Sequence, residues 1–160
     1  MIAKLSWPEG IGMTRAFELL RKYEQGEEER NSEWQRITSK INEVFLGFDK
    51  YLNDNGRDAI ATVKLGEKDK LVFRELSVEN FRYEEADTVF FALQVSLNKS
   101  SSVVAQEALS LSCSRYHAGY SVKIEGVEEA IIVGGYRSED TKLFEAMYRV
   151  LEGKFSSPES

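Results

Sequence analysis

An α+β fold is predicted by three features of the sequence. Apolar residues recur at three- and four-residue steps over the first third of the chain, at two-residue steps through the middle, and at helical steps again near the end. A run of strands flanked by helices favours an antiparallel sheet over a parallel one. The expected architecture is two N-terminal helices, the second one long, then an antiparallel meander of five to six strands, then a C-terminal helix packed on the sheet. The 160 residues suit one domain. It is expected over residues 1–155, with "SSPES" at 156–160 as a disordered tail.

From Thr14 the spacing of Phe17, Leu20 and Tyr23, with Ala16 and Leu19, predicts a first helix that ends at Gly26. "EEERN" reads as a solvated connector. Ser32 and Gln35 then form an S-x-x-Q capping box, in which each side chain satisfies a backbone N–H at the start of a helix. Behind it Trp34, Ile37, Ile41, Phe45 (with Val44), Phe48 and Leu52 make one apolar stripe. Asn55-Gly56 is the expected stop, because glycine accepts the left-handed cap conformation. At about 1.5 Å per residue this second helix is about 34 Å long. Five strands about 4.8 Å apart cover roughly 20–25 Å. If the helix crosses the strands, one apolar end extends past the sheet, and the Trp34 end is the favoured one.

The strands follow by parity. In "DAIATVKL" residues Ala59, Ala61, Val63 and Leu65 share a face; "GEKD" is expected to turn the chain; "KLVFREL" returns with Leu71 and Phe73. A short edge strand is expected around Phe81 and Tyr83. The clearest strand carries Val89, Phe91, Leu93, Val95 and Leu97 on one face and Thr88, Gln94, Ser96 and Asn98 on the other. Phe90 and Ala92 interrupt that polar face. "NKSSS" turns into a strand ending near Tyr116. A last helix is expected from an N-cap at Ser138, with Glu139 and Asp140 in its first turn, an apolar face of Leu143, Phe144, Met147, Val150 and Leu151, and a stop at Gly153.

Cys113 and His117 are the only cysteine and histidine in the chain. Alternation through Leu109–Tyr116 and Tyr120–Glu125 predicts a β-hairpin with its tip near His117–Gly119 and an even-numbered loop of two or four residues, Ala118-Gly119 being the two-residue case. That pairs His117 with Tyr120, Arg115 with Val122 and Cys113 with Ile124. Strand residues four apart lie about 13 Å apart, whereas a nucleophile and its base need about 3 Å. A Cys113–His117 dyad is therefore excluded on a strand. Cys113 is expected to be a core residue and His117 an exposed one. The fallback active site or pocket is Arg115, Tyr116, His117 and Tyr120.

The formal charge of −6 is spread evenly along the chain. That disfavours nucleic-acid backbones and anionic membranes as partners. No stretch is apolar enough to span a membrane. One cysteine makes no internal disulfide, and the absence of a signal peptide points to a cytoplasmic protein. One cysteine and one histidine do not make a structural zinc site, the acidic clusters lack calcium-loop spacing, and no cofactor is expected. "PEGIGMTR" and "IIVGGYRSED" each resemble part of an anion-binding loop but lack the remaining motif residues.

The sequence thus favours a non-enzymatic protein-binding module of adaptor, inhibitor, immunity or secretion-chaperone type. Its partner is a second copy of the chain or another protein, bound through Trp34, Ile37, Ile41 and Phe45. The alternative is a small-ligand domain with a pocket between sheet and helices, and after it a small enzyme.

Overall fold

A computed structural model describes residues 14–53, 60–70, 72–81, 83–84, 88–134 and 140–157. The chain divides into two compact units, residues 1–34 and 35–160. Each is described by itself.

Where two N-terminal helices were expected, one continuous helix, α1 (Arg15–Asn53), runs through Gly26 and the Glu-rich stretch. The sequence reading overweighted that glycine. In an exposed helix interior Gly costs only about 1 kcal/mol relative to Ala, and the flanking Glu, Arg and Gln residues are good helix formers. Glu27 and Arg30 add an ion pair one turn apart. Ser32 and Gln35 lie inside the helix, so they form no capping box. The N-terminal boundary does match its expected place: Thr14 Oγ1 accepts the backbone N–H of Phe17 at 3.2 Å.

All the described residues of the first unit are exposed or half-buried. The buried residues of α1 begin at Ile37 and continue through Thr38, Lys40, Ile41, Val44 and Phe48.

In the second unit the strands are β1 (Ala61–Asp69), β2 (Val72–Glu75), β3 (Tyr83–Glu84), β4 (Thr88–Lys99), β5 (Ser102–Tyr116), β6 (Gly119–Ile124) and β7 (Ile131–Val133). All pairs are antiparallel. Six strands lie in the order β2-β1-β4-β5-β6-β7, and two-residue β3 pairs separately with β4. The second half is the expected meander; the first half is not. β2 takes the sheet edge, and β1 lies beside β4. Only one of the two strands carries a core face. Ala61, Val63 and Leu65 on β1 are buried opposite Leu97, Val95 and Leu93, whereas Val72 on β2 is exposed and Phe73 half-buried.

Two of three turn assignments move, and the one in "NKSSS" holds. β1 continues through Gly66–Asp69, and the chain turns beyond it with Lys70 at φ 57°. The β4–β5 turn falls at Ser100-Ser101, both with positive φ, as a primed two-residue hairpin requires. The β5–β6 turn is His117-Ala118, with Tyr116 opposite Gly119, Arg115 opposite Tyr120 and Cys113 opposite Val122. The expected register was displaced by two residues, which preserves the faces but changes every partner. Gly119 is needed elsewhere: a Cβ there would lie 2.2 Å from the Val133 carbonyl oxygen on β7. His117 takes the left-handed turn position at φ 50° instead.

The final helix, α2 (Thr141–Ser156), has Asp140 as its N-cap residue and runs through Gly153. Its expected early start at Ser138-Glu139 lies outside the described residues. So do Ala59, Leu71, Asn55-Gly56 and residues 158–160 of the expected tail.

One face of the sheet carries the core. Side chains from β1, β4, β5 and β6 meet Ile37, Ile41, Val44 and Phe48 of α1 and Leu143, Met147 and Leu151 of α2. Three hydrogen bonds fix how α1 crosses this face. The Tyr120 hydroxyl on β6 donates to the Arg36 carbonyl at 3.3 Å. Seventeen residues later the Asn53 side chain accepts from the Ala61 N–H at 3.1 Å and donates to the Ala61 carbonyl at 3.0 Å. The helix therefore passes from β6 to the start of β1, across the strands. Gly47 lets α2 come close, since a Cβ there would lie 2.7 Å from the Phe144 ring.

Candidate functional sites

Four regions among the described residues are candidates for a functional site. The first is buried. Lys40 is on the core side of α1, with its side chain 1% exposed. Its Nζ donates to both carboxylate oxygens of Asp140, at 2.9 and 3.2 Å, and to Glu43 at 3.3 Å. Because Asp140 faces Lys40, its side chain makes no capping bond at the start of α2. Cys113 is close enough to feel both charges. Burial pushes its thiol up to about 12; Lys40 opposes that shift and Asp140 adds to it. A thiol this far from ionising is not a nucleophile at neutral pH. Lys40 and Asp140 were missed by the sequence reading. The legible signal was a lysine at the i+3 step from Ile37, on the face shared by Ile41 and Val44.

The second region is the β5–β6 tip. Arg115, Tyr116 and His117 are exposed. The rings of Tyr116 and His117 meet edge to face, with centroids 4.5 Å apart. Tyr120 is buried, is the cross-strand partner of Arg115, and has its hydroxyl bonded to the Arg36 carbonyl. Tyr116 lies on the other face, as strand alternation requires. The four residues are neighbours in sequence, but Tyr116 and Tyr120 do not converge on one point. Cys113 is buried and His117 is in the turn, so no dyad forms.

The third is the α1 stripe. Ile37 and Ile41 are fully buried in the chain's own core, and Phe45 packs against that core. Trp34 is half-buried. Earlier in α1, Leu19 and Tyr23 are 68% and 61% exposed.

The fourth is the sheet face away from the helices. Phe90 points there and is 57% exposed, while its strand neighbours Val89 and Phe91 are in the core. Ser112 is its cross-strand partner on β5, and Lys123 is next on β6. A half-open cleft of about 730 Å³ lies on one side of the ring, bounded by Glu67, Arg74, Asn80 and Ser110. A second cleft, about 310 Å³, adjoins Ser112, Lys123 and Val127. Phe90 and Ser110 line both. At the opposite end of the strands an apolar cleft of about 390 Å³ lies between Leu52, Ile60, Leu97, Tyr148 and Phe155.

Among the described residues no group of three or more His, Cys, Asp or Glu side chains is placed to hold a metal ion. None of the described helices is long and apolar enough to cross a membrane. Comparison with protein-family models, with curated proteins and with solved structures finds no match.

Proposed function

We propose that this chain is a non-enzymatic protein-binding module that engages its partner through the N-terminal part of α1. One observation carries the reading. The stretch Arg15–Arg36 contains no buried residue, yet it includes Leu19 and Tyr23, both mostly exposed. Helices draw most of their stability from packing an amphipathic face. An amphipathic stretch with large apolar side chains in water is a docking element. Between Arg15 and Trp34 there are four basic and six acidic residues. The complementary partner offers an apolar groove with a basic rim, the helix-in-groove mode of recognition. The contact set differs from the one expected from sequence. Ile37 and Ile41 are core, so Leu19, Tyr23 and Trp34 take their place.

The test is sedimentation velocity together with affinity capture, using wild type, Leu19→Glu and Tyr23→Glu at micromolar concentration. A self-association or a captured partner that both substitutions abolish, with the melting temperature unchanged, supports the reading. A wild-type monomer that captures nothing, or an association indifferent to both substitutions, refutes it. A small-ligand reading, with a pocket between sheet and helices, is favoured by a different observation, the apolar cleft of about 390 Å³ between Leu52, Ile60, Leu97, Tyr148 and Phe155; the clefts beside Phe90 are a second candidate.

A further inference from the structure

Phe90 breaks the pattern of its own strand. The other positions on that face are Thr88, Ala92, Gln94, Ser96 and Asn98, with Ser110, Ser112 and Ser114 across from them on β5. A phenyl ring more than half exposed in the middle of a hydroxyl-bearing sheet contributes little to folding. The two clefts share Phe90, Ser110 and Leu111, so they form one depression beside the ring, and its larger part also reaches Leu76 and the core residues Phe81 and Phe91. Its larger part falls within the 300–1,000 Å³ range of small-molecule sites.

The depression limits what it accepts. The ring offers an apolar plane. Ser110, Ser112 and Asn80 offer groups that both donate and accept hydrogen bonds. The charged residues lining the clefts balance: Glu67, Asp69 and Glu125 against Lys68, Arg74 and Lys123. Glu67 and Arg74 are already an ion pair. A phosphate-bearing ligand needs an excess of cations, which this rim lacks. A peptide adding as a strand needs a free sheet edge several residues long, and among the described residues β4 leaves only Phe90 and Phe91 without a strand partner on its β1 side, between Ala92 paired with β1 and Val89 paired with β3. The ligand that fits has one apolar flat side, a periphery of hydroxyls and no net charge.

We propose that the depression around Phe90 binds a neutral saccharide, with one pyranose ring stacked on Phe90 and its hydroxyls shared among Ser110, Ser112, Asn80 and the paired charges of the rim. The residues of this site include none of the α1 residues assigned to protein binding, so either assignment can fail alone.

The experiment is an amide chemical-shift titration of the full chain with cellotetraose, maltotetraose and chitotetraose in turn. Dextran sulfate and an apolar leucine–alanine peptide serve as contrasting probes. Saturable shifts at Phe90, Ser110 and Ser112 are expected with at least one of the three sugars. Phe90→Ala should weaken that binding by about tenfold or more, the loss typical of an aromatic anchor, while leaving the melting temperature unchanged. Phe90→Trp should preserve it. Three outcomes overturn the proposal: no saturable response to any neutral sugar, a response that survives Phe90→Ala, or a response to dextran sulfate or the peptide alone.

Discussion

Replacing Lys40 with methionine should destabilise the protein by about 3–5 kcal/mol, although methionine is more apolar and nearly as long. The reason is the ion it leaves behind. Lys40 Nζ is 2.9 and 3.2 Å from the two Asp140 oxygens, and the side chains are 1% and 3% exposed. At about 3 Å and an effective dielectric of about 20, the attraction is about 5 kcal/mol. Removing both ions from water costs several kcal/mol each, so the pair as a unit contributes little. Once one partner is gone, the other's desolvation is no longer offset. Asp140→Asn should also destabilise, but less, because Glu43 remains 3.3 Å from Lys40. The double variant Lys40→Met/Asp140→Asn should recover to within about 1–2 kcal/mol of wild type, since no buried ion is stranded and Asn is a good N-cap residue. The assay is urea unfolding of all four proteins, comparing midpoints at constant m. A coupling energy of about 3 kcal/mol is expected from the cycle. Single losses below about 1 kcal/mol that simply add would refute the reasoning, and with it the docking of the start of α2 on α1.

Cys113 gives a pH-dependent test. Its thiol is raised from 9.0 to about 12, chiefly by burial. The unfolded thiol ionises first as pH rises, so the stability it contributes is complete below about pH 9 and is lost toward pH 12, at up to about 1.4 kcal/mol per unit. Urea midpoints of wild type and Cys113→Ala should therefore converge only above pH 9, and native labelling by a thiol reagent should be slow; parallel pH profiles would contradict this. Gly26→Ala should raise stability by about 1 kcal/mol and increase helical circular dichroism, because a Cβ at Gly26 meets nothing closer than the Arg30 guanidinium at 4.0 Å; a loss would mean that the helix ends there. Gly119→Ala should cost about 2–3 kcal/mol and accelerate amide exchange in β6 and β7, whereas His117→Ala should stay within about 0.5 kcal/mol of wild type.

Periodicity was legible because burial is what creates it. Ala61, Val63 and Leu65, then Val89, Phe91, Leu93 and Val95 on β4, and Leu143, Met147 and Leu151 all lie where two- and four-residue spacing put them. Glycine was not legible, because one residue type answers several needs. Gly66 was read as a turn, yet it sits within β1, where a Cβ would be 2.1 Å from the Arg74 carbonyl oxygen. Gly119 was read as a turn for the same reason and is likewise a point of close backbone approach. Gly26 and Gly153 were read as helix ends and are helix interior. Which role applies depends on the strand or helix lying opposite, and that neighbour is distant in sequence. The Lys40–Asp140 pair was hidden for a similar reason, as its partners are 100 residues apart.

The side chains that first suggest catalysis are committed to the fold. The Cys113 thiol is held protonated in the core, the Tyr120 hydroxyl bonds to the backbone of α1, and Lys40 and Asp140 neutralise each other. His117 occupies a left-handed turn position, with its ring against Tyr116. The residues that depart from what folding needs are of another kind. Leu19, Tyr23 and Phe90 are large, apolar and more than half exposed. Exposure of that kind brings no stability, and it adds a risk of aggregation. The proposed recognition through these apolar anchors predicts that removing one ring or one leucine abolishes binding without unfolding the protein.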